Sequence, residues 1–399
     1  MAAGDPVGSD AATLPLRDVP RASPRGPALA PRPGSGLRGQ RHHVELQWLL
    51  HRLVPHLTVL QANRIREGTQ LAYLVILEKL TAFMQYRTLP HLSAKMWDHT
   101  LVDFIEHRYE EQESRESTVK VLYALLWAFP HLGGSARTLF PQAFASMRGW
   151  TRLSPPSSRP PLPKQAAYAI AAKLLEYGQE RAALGCLVMF ETYCRIGELL
   201  ALRMFQIVAP DRHSRGAAGC PTIVLNATEL QVPSKTGEMD SSIAFDLPEH
   251  RWVGMLLVQL KEAFATQNME PVVNVSYSVF LGLLDRAVQD LGLQALHPTP
   301  HCFRHGGASH DRAAGRRPLQ EVQRRGTWKV HSSVARYDKH GRVGLQLQLL
   351  PVHVRDHLEA LMCRVEHCFR LRFTRLYGQG TDSGSSSSSS RAVASSRHP

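Results

Sequence analysis

Two strings decide how this chain reads: His301-Cys302-Phe303-Arg304-His305, and Gly326-Thr327-Trp328, which precedes Val334-Ala335-Arg336-Tyr337-Asp338. His301 and Arg304 are three apart, so on one helical turn they project side by side. Trp328 stands nine residues before Tyr337. Between the strings, Pro318 to Arg325 predicts a helical segment with its proline at a first-turn position. An arginine fork, an indole that can only donate, a histidine and a phenol suit chemistry on a phosphate.

A further string, Thr192-Tyr193-Cys194-Arg195-Ile196-Gly197-Glu198-Leu199, comes about a hundred residues before Arg304. Arg195 and Glu198 are spaced for an ion pair on one helix face. Taken alone that pair means little. With the later strings, in this order and at this separation, it resembles the two conserved boxes of the tyrosine recombinase (phage integrase) family.

The resemblance implies a fold class: mainly α with a small antiparallel β-sheet (α+β), an N-terminal all-helical DNA-clamping domain and a tyrosine-recombinase-like catalytic domain. It implies cleavage and rejoining of double-stranded DNA through a 3′-phosphotyrosyl intermediate with a free 5′ hydroxyl. The catalytic set would be Arg195, Glu198, Lys235, His301, Arg304, Trp328 and Tyr337. In that set Tyr337 is the nucleophile, and Arg195 and Arg304 clamp the phosphate. Trp328 donates to it, Lys235 protonates the leaving oxygen, Glu198 orients Arg195 or His301, and His301 or the arginine field helps the phenol lose its proton.

The bond energy stays in the covalent intermediate, so no cofactor is expected. The sequence carries no Gly-rich Lys-Ser/Thr phosphate loop and no cluster of acidic metal ligands. A homo-tetramer on synapsed DNA, docked through the C-terminal helix, is implied as the assembly. There are two departures. Tyr193-Cys194 replaces a Gly-Leu that is usually small, and the glycine before the Trp position is displaced by one, as Gly326.

The charge balance agrees with a polyanionic partner. Net charge is +13 and pI is near 9.7, which points to nucleic acid first and acidic membranes second. From His301 to Arg342 there are ten Lys or Arg against three Asp or Glu, a concentration that a bland solvated face does not need. No apolar run reaches the length of a membrane span. The six cysteines include no Cys-x-x-Cys pair and lie mostly in apolar, helix-like stretches, so a reduced, buried state is expected. Charge and the Pro/Arg/Ser-rich flanks suggest the nucleus, or, in a prokaryotic host, the cytoplasm at the nucleoid.

In chain order, 1–43 reads as a disordered tail. Residues 44–152 read as a helical core-DNA-binding domain of four or five helices. One apolar stripe there runs Leu46, Leu49, Leu50, Leu53 and Leu57; another runs Tyr73, Ile76, Leu77, Leu80 and Phe83. Ser117 or Thr118 is the expected cap of a helix there. A linker with five prolines in eleven residues spans 153–163. The catalytic domain covers 164–377, and a Ser-rich tail 378–399.

Within the catalytic domain, 164–204 is helical. Short β-prone runs are read at Thr222–Leu225, Glu229–Pro233 and Ser242–Phe245. Lys235 lies on the turn between the last two and is the only lysine between Lys173 and Lys261. Helices are expected at 248–265 and 277–291. Leu345 to Tyr377 reads as one amphipathic helix with Leu358, Leu361, Val365 and Phe369 on one side. His353, His357, Cys363, His367 and Cys368 in that helix match no common zinc spacing. Two other outcomes fit the same residues: a recombinase-derived protein that holds DNA without cutting it, and topoisomerase IB-like relaxation.

Overall fold

The computed structural model describes residues 46–155, 160–211, 213–231, 237–329, 334, 337 and 340–378. They fall into two compact units divided between 157 and 158, and each is described by itself.

The described residues of the first unit form helices and connecting turns with no strand, eight helices where four or five were expected, because several are only one turn long. Its helices are α1 (46–53), α2 (Val59–Ala62), α3 (Glu67–Phe83), α4 (Ala94–Glu110), α5 (Arg115–Thr118), α6 (Lys120–Ala128), α7 (Ala136–Leu139) and α8 (Pro141–Leu153). The expected stripes point inward: Leu46, Leu49 and Leu53 on α1, and Ile76, Leu77 and Leu80 on α3, join Trp97, Phe104, Trp127 and Phe140 in one core. Leu57 lies beyond the end of α1. The expected cap at Ser117 or Thr118 is corrected to Ser114. Its extended backbone lets its hydroxyl accept from the N–H of Ser117, satisfying a donor that the helix start leaves open. Asp98, 3% exposed, accepts from the N–H groups of Gln142 and Ala143 at 3.1 and 3.0 Å. Those are first-turn donors of α8, where a carboxylate suits the positive end of the helix dipole.

The second unit is mainly helical with a three-stranded antiparallel sheet. It opens with α9 (Lys164–Glu176) and α10 (Glu180–Thr192). Every residue of α10 from Arg181 to Thr192 is buried, as expected of a helix with apolar residues all round. Short α11 (Ile196–Ala201) follows. Next come β1 (Ile207–Val208), β2 (Thr222–Leu225) and β3 (Ser241–Ala244), in the order β1-β2-β3. The register pairs Ile207 with Ile223 and Ile223 with Ile243, so these three isoleucines share the buried face.

The expected strand at Glu229–Pro233 is corrected over 229–231, and 232–233 lie outside the described residues. Thr228–Leu230 is a 3-10 turn, and Asn226 and Gln231 take left-handed backbone. Asp240 accepts from the Thr228 N–H at 2.9 Å and from its hydroxyl, which ties the loop off from the ladder. The third strand is instead Ile207–Val208, two residues that offer no alternation to read.

Helices α12 (Arg251–Ala263), α13 (Tyr277–Asp290), α14 (Pro300–Ala313) and α15 (Leu319–Arg325) complete the body. Pro318 is the cap before α15, not its first turn. The single helix expected over 345–377 is corrected to two, His340–Gln348 and Val352–Tyr377. Pro351 lacks an N–H and serves as the cap of the second. Leu358, Val365, Phe369 and Phe373 of that last helix are buried in the core of the same unit, with Trp252 of α12 against Phe369. Four cysteines are buried, but Cys363 and Cys368 are exposed, which corrects the expectation for those two. Among the described residues no three His, Cys, Asp or Glu gather as metal ligands, and no described helix is long and apolar enough to cross a membrane.

Candidate active site

The site is assembled where α10 ends. Tyr193 terminates that helix in left-handed backbone, with φ +57°, a conformation that favours glycine because Cβ crowds the carbonyl. The tyrosine side chain holds it there. Its ring is fully buried and stacks on Trp328 at 6.4 Å between centroids, and its hydroxyl donates to the Asp311 carboxylate. Burial and the Asp311 charge push this phenol well above its ordinary value, so it remains a donor.

The chain then extends through Arg195 into α11. One oxygen of Glu198 accepts from the Arg195 N–H at 2.7 Å, and the other pairs with its guanidinium. Of the two partners the sequence offered Glu198, the one seen here is Arg195. Nη1 of Arg195 also donates to Thr327 Oγ1 at 3.2 Å, joining strings 132 residues apart.

Helix α14 reaches this corner through two glycines. A Cβ on Gly306 would stand 2.2 Å from the Leu162 carbonyl oxygen, and one on Gly307 would stand 1.8 Å from that of Phe190. Only bare backbone allows α14 so near the end of α10. The approach puts Arg304, 2% exposed, where Nη1 donates to the Tyr193 carbonyl and Nη2 to the Gly326 carbonyl. More than half of the guanidinium's N–H donors remain for another acceptor. Burial first, then the charge of Arg195, push Arg304 down to about 10. Two cations are thus held close enough to oppose one another, an arrangement that an anion relieves.

The aromatic groups follow in a chain. The Arg304 guanidinium lies 4.2 Å from the centroid of the Trp328 ring, within cation–π range. That ring is 4.4 Å from Tyr337, and Tyr337 packs edge-on to His305 at 4.8 Å. His305 in turn lies 4.4 Å from His301. Nε2 of His305 is 3.4 Å from the Tyr337 hydroxyl. A Cβ on Gly326 would meet the Trp328 ring at 1.9 Å, so the displaced glycine is what lets the indole fold back over this corner. Thr327, with φ +48°, makes the turn.

An ionic frame, with Arg317, Asp311 and Arg325 buried and Asp246 at the surface, supports the corner from behind. Arg317 donates to Asp311 at 3.0 Å and to both oxygens of Asp246 at 3.0 and 2.6 Å. Arg325, 2% exposed, donates to the carbonyls of Ala244 and Glu191 at 3.0 and 3.1 Å. Burial works against a charged Asp246, but its bonds to Arg317 and the charge of Arg325 outweigh that and hold it down to about 2. Deeper still, Glu191 accepts from Tyr168 and pairs with His250 at 2.5 Å.

Of the seven residues expected from the sequence, Arg195, Glu198, His301, Arg304, Trp328 and Tyr337 gather in this corner. Lys235 lies outside the described residues. Two residues of the segment following it, Glu238 and Met239, line a cleft of about 430 Å³ shared with Thr327 and Trp328. Sequence reasoning missed His305, Tyr193, Asp311 and Thr327 as parts of the site. The signal for His305 was present, since it stands four residues after His301 on the same helix face. Asp311 gave none, because a carboxylate at the end of a helix reads as surface. No family model matches the chain, and no curated protein is significantly similar to it.

Proposed function

We propose that the chain cleaves and rejoins double-stranded DNA as a tyrosine recombinase does, with Tyr337 as nucleophile. The observation that carries this reading is the convergence of Arg195, Arg304 and Trp328 on the corner that holds Tyr337, the guanidinium of Arg304 and the phenol packing against the same indole. A phosphodiester placed there would meet two cations, and its non-bridging oxygens would gain charge where donors already point. The Tyr337 oxygen attacks phosphorus, the bond to the 5′ oxygen breaks, and Lys235 supplies the proton for the 5′ hydroxyl. The strand stays attached as a 3′-phosphotyrosyl ester until the step reverses on a new 5′ end. Site-specific integration, excision or recombination on a homo-tetramer in the nucleus is the setting this chemistry serves. The basic stretch 301–342 supports DNA as the partner.

A second reading, a DNA-holding protein that does not cut, draws on one observation. Tyr337 is 5% exposed and Arg304 2%, so a phosphodiester reaches them only once they are uncovered.

One experiment separates the two. Nicked duplexes taken from the flanks of the protein's own gene are incubated with wild type and with Tyr337→Phe. An SDS-resistant, protease-sensitive adduct in wild type and none in the variant, with DNA binding retained in both, supports the enzyme. Salt-dependent binding with no adduct in either supports the holder.

A further inference from the structure

We propose that His305 is the catalytic residue that takes the proton from Tyr337 and returns it on rejoining. The proposal rests on the strand-cleavage reading above and assigns a group which that reading leaves open. Tyr337 is 5% exposed, so its proton passes to a protein group more readily than to bulk water. Among the described neighbours, the Arg304 guanidinium has donors only and the Trp328 indole N–H has no lone pair to offer. Nε2 of His305 is 3.4 Å from the hydroxyl, a separation that tightens when a substrate closes such a site. The two rings pack perpendicular to one another at 83°, with Nε2 the imidazole atom at the phenol oxygen. The role requires the tautomer with its proton on Nδ1, in which Nε2 accepts from the Tyr337 hydroxyl.

The step balances. The phenol O–H bond breaks and its proton goes to Nε2, forming an imidazolium. The phenolate electron pair forms the bond to phosphorus. The bond from phosphorus to the 5′ oxygen breaks with its electrons on oxygen, which takes a proton from Lys235. On rejoining, the 5′ hydroxyl gives its proton to the neutral Lys235 amine as its oxygen attacks phosphorus, the phosphotyrosyl bond breaks with its electrons on the phenol oxygen, and the imidazolium returns its proton to that phenolate. The imidazolium would form beside the unreacted phosphate, whose negative charge favours it. His301, whose ring packs on His305 at 4.4 Å, is the competing imidazole, and the test includes it.

Adduct formation is followed in single-turnover reactions of the full chain on the nicked duplexes, for wild type, His305→Ala, His305→Gln and His301→Ala. His305→Ala and His305→Gln are expected to slow the adduct by about 100-fold or more, with salt-dependent DNA binding within about two-fold. Added imidazole is expected to restore the His305→Ala rate at least about ten-fold. A 5′-bridging sulfur, which leaves without an acid, is expected not to rescue either His305 variant, because His305 acts on the other oxygen. A His305→Gln rate equal to wild type overturns the proposal. So does an imidazole response confined to His301→Ala, or full rescue of His305→Ala by the sulfur substrate. A wild type that forms no adduct at all sinks the strand-cleavage reading itself and the proposal with it.

Discussion

The carbonyl oxygen of Tyr193 accepts a hydrogen bond from the Arg304 guanidinium, so a residue with left-handed backbone sets where the buried cation points. The hydroxyl of the same tyrosine reaches Asp311. Tyr193→Phe removes only that donor and leaves Asp311 to Arg317. Loss of one partner in a buried network amounts to about 1–3 kcal/mol. The expected result is a lower midpoint in urea unfolding of the full chain. Adduct formation by the folded fraction should fall less than in an Arg304 variant. A midpoint within error of wild type would count against the bracing role of Tyr193.

Arg304→Lys keeps the charge but not the fork. An ammonium on a flexible stem is a point charge and does not hold the carbonyls of Tyr193 and Gly326 in the geometry the planar fork gives them. Adduct formation is expected to drop by about 100-fold or more, as when a preorganised donor to a developing oxyanion is removed. DNA affinity should change little, since many other Lys and Arg share backbone binding. Equilibrium binding and single-turnover cleavage, measured at one salt concentration, give the two numbers. A collapse in affinity with unchanged turnover of bound DNA would reverse the assignment.

Gly307→Ala tests the approach of α14 to α10. The added Cβ meets a backbone oxygen at 1.8 Å, and backbone cannot swing aside as a side chain tip does. Overpacking typically destabilises by about 1–3 kcal/mol, and this contact belongs at the upper end. Chemical denaturation should show the loss. Gly197→Ala is the matched control, because among the described residues nothing beyond its chain neighbours and its own helix backbone lies within 4 Å of its Cβ position.

Acid should weaken the fold through His310. Burial, then the charges of Lys164 and Arg316, push it from 6.5 down to about 4, and its Nε2 is buried without a hydrogen-bond partner. The unfolded chain therefore binds this proton first. The stability involved is fully present above about 6.5 and is lost as pH falls from there toward about 4. Asp246, held down to about 2, titrates below that window. The thermal midpoint of wild type should drop across the window, and that of His310→Gln should drop less. Parallel slopes would remove His310 from the account.

What was legible in the sequence was what depends on spacing. The apolar stripes of α1 and α3 and the helices around both charged strings follow from helical period. The pairing of Arg195 with Glu198 was expected on one helix face, but Arg195 stands in extended backbone before α11 and Glu198 reaches back to it from the first turn. What was not legible depends on backbone meeting backbone. Gly306 and Gly307 look like weak points in a helix until Phe190 and Leu162 are seen against them. Tyr193 looked like a crowded substitute for a small residue, and its use as an anchor appears only with Asp311 and Trp328 in place. The missed strand Ile207–Val208 is too short for alternation to register, and the strand expected from Glu229 gives way over 229–231 to a 3-10 turn that Asp240 holds at Thr228. Leu345–Tyr377 is continuous in apolar period, yet Pro351 divides it. A stricter reading of proline would have caught that.

The mutual opposition of Arg195 and Arg304 has a consequence for handling the molecule. Glu198 already offsets part of that opposition through its pairing with Arg195, and what remains would favour an oxyanion bound beside Arg304. An anion that binds only the folded chain raises its melting temperature, so melting curves in phosphate and in chloride would read that corner before a single strand of DNA is added.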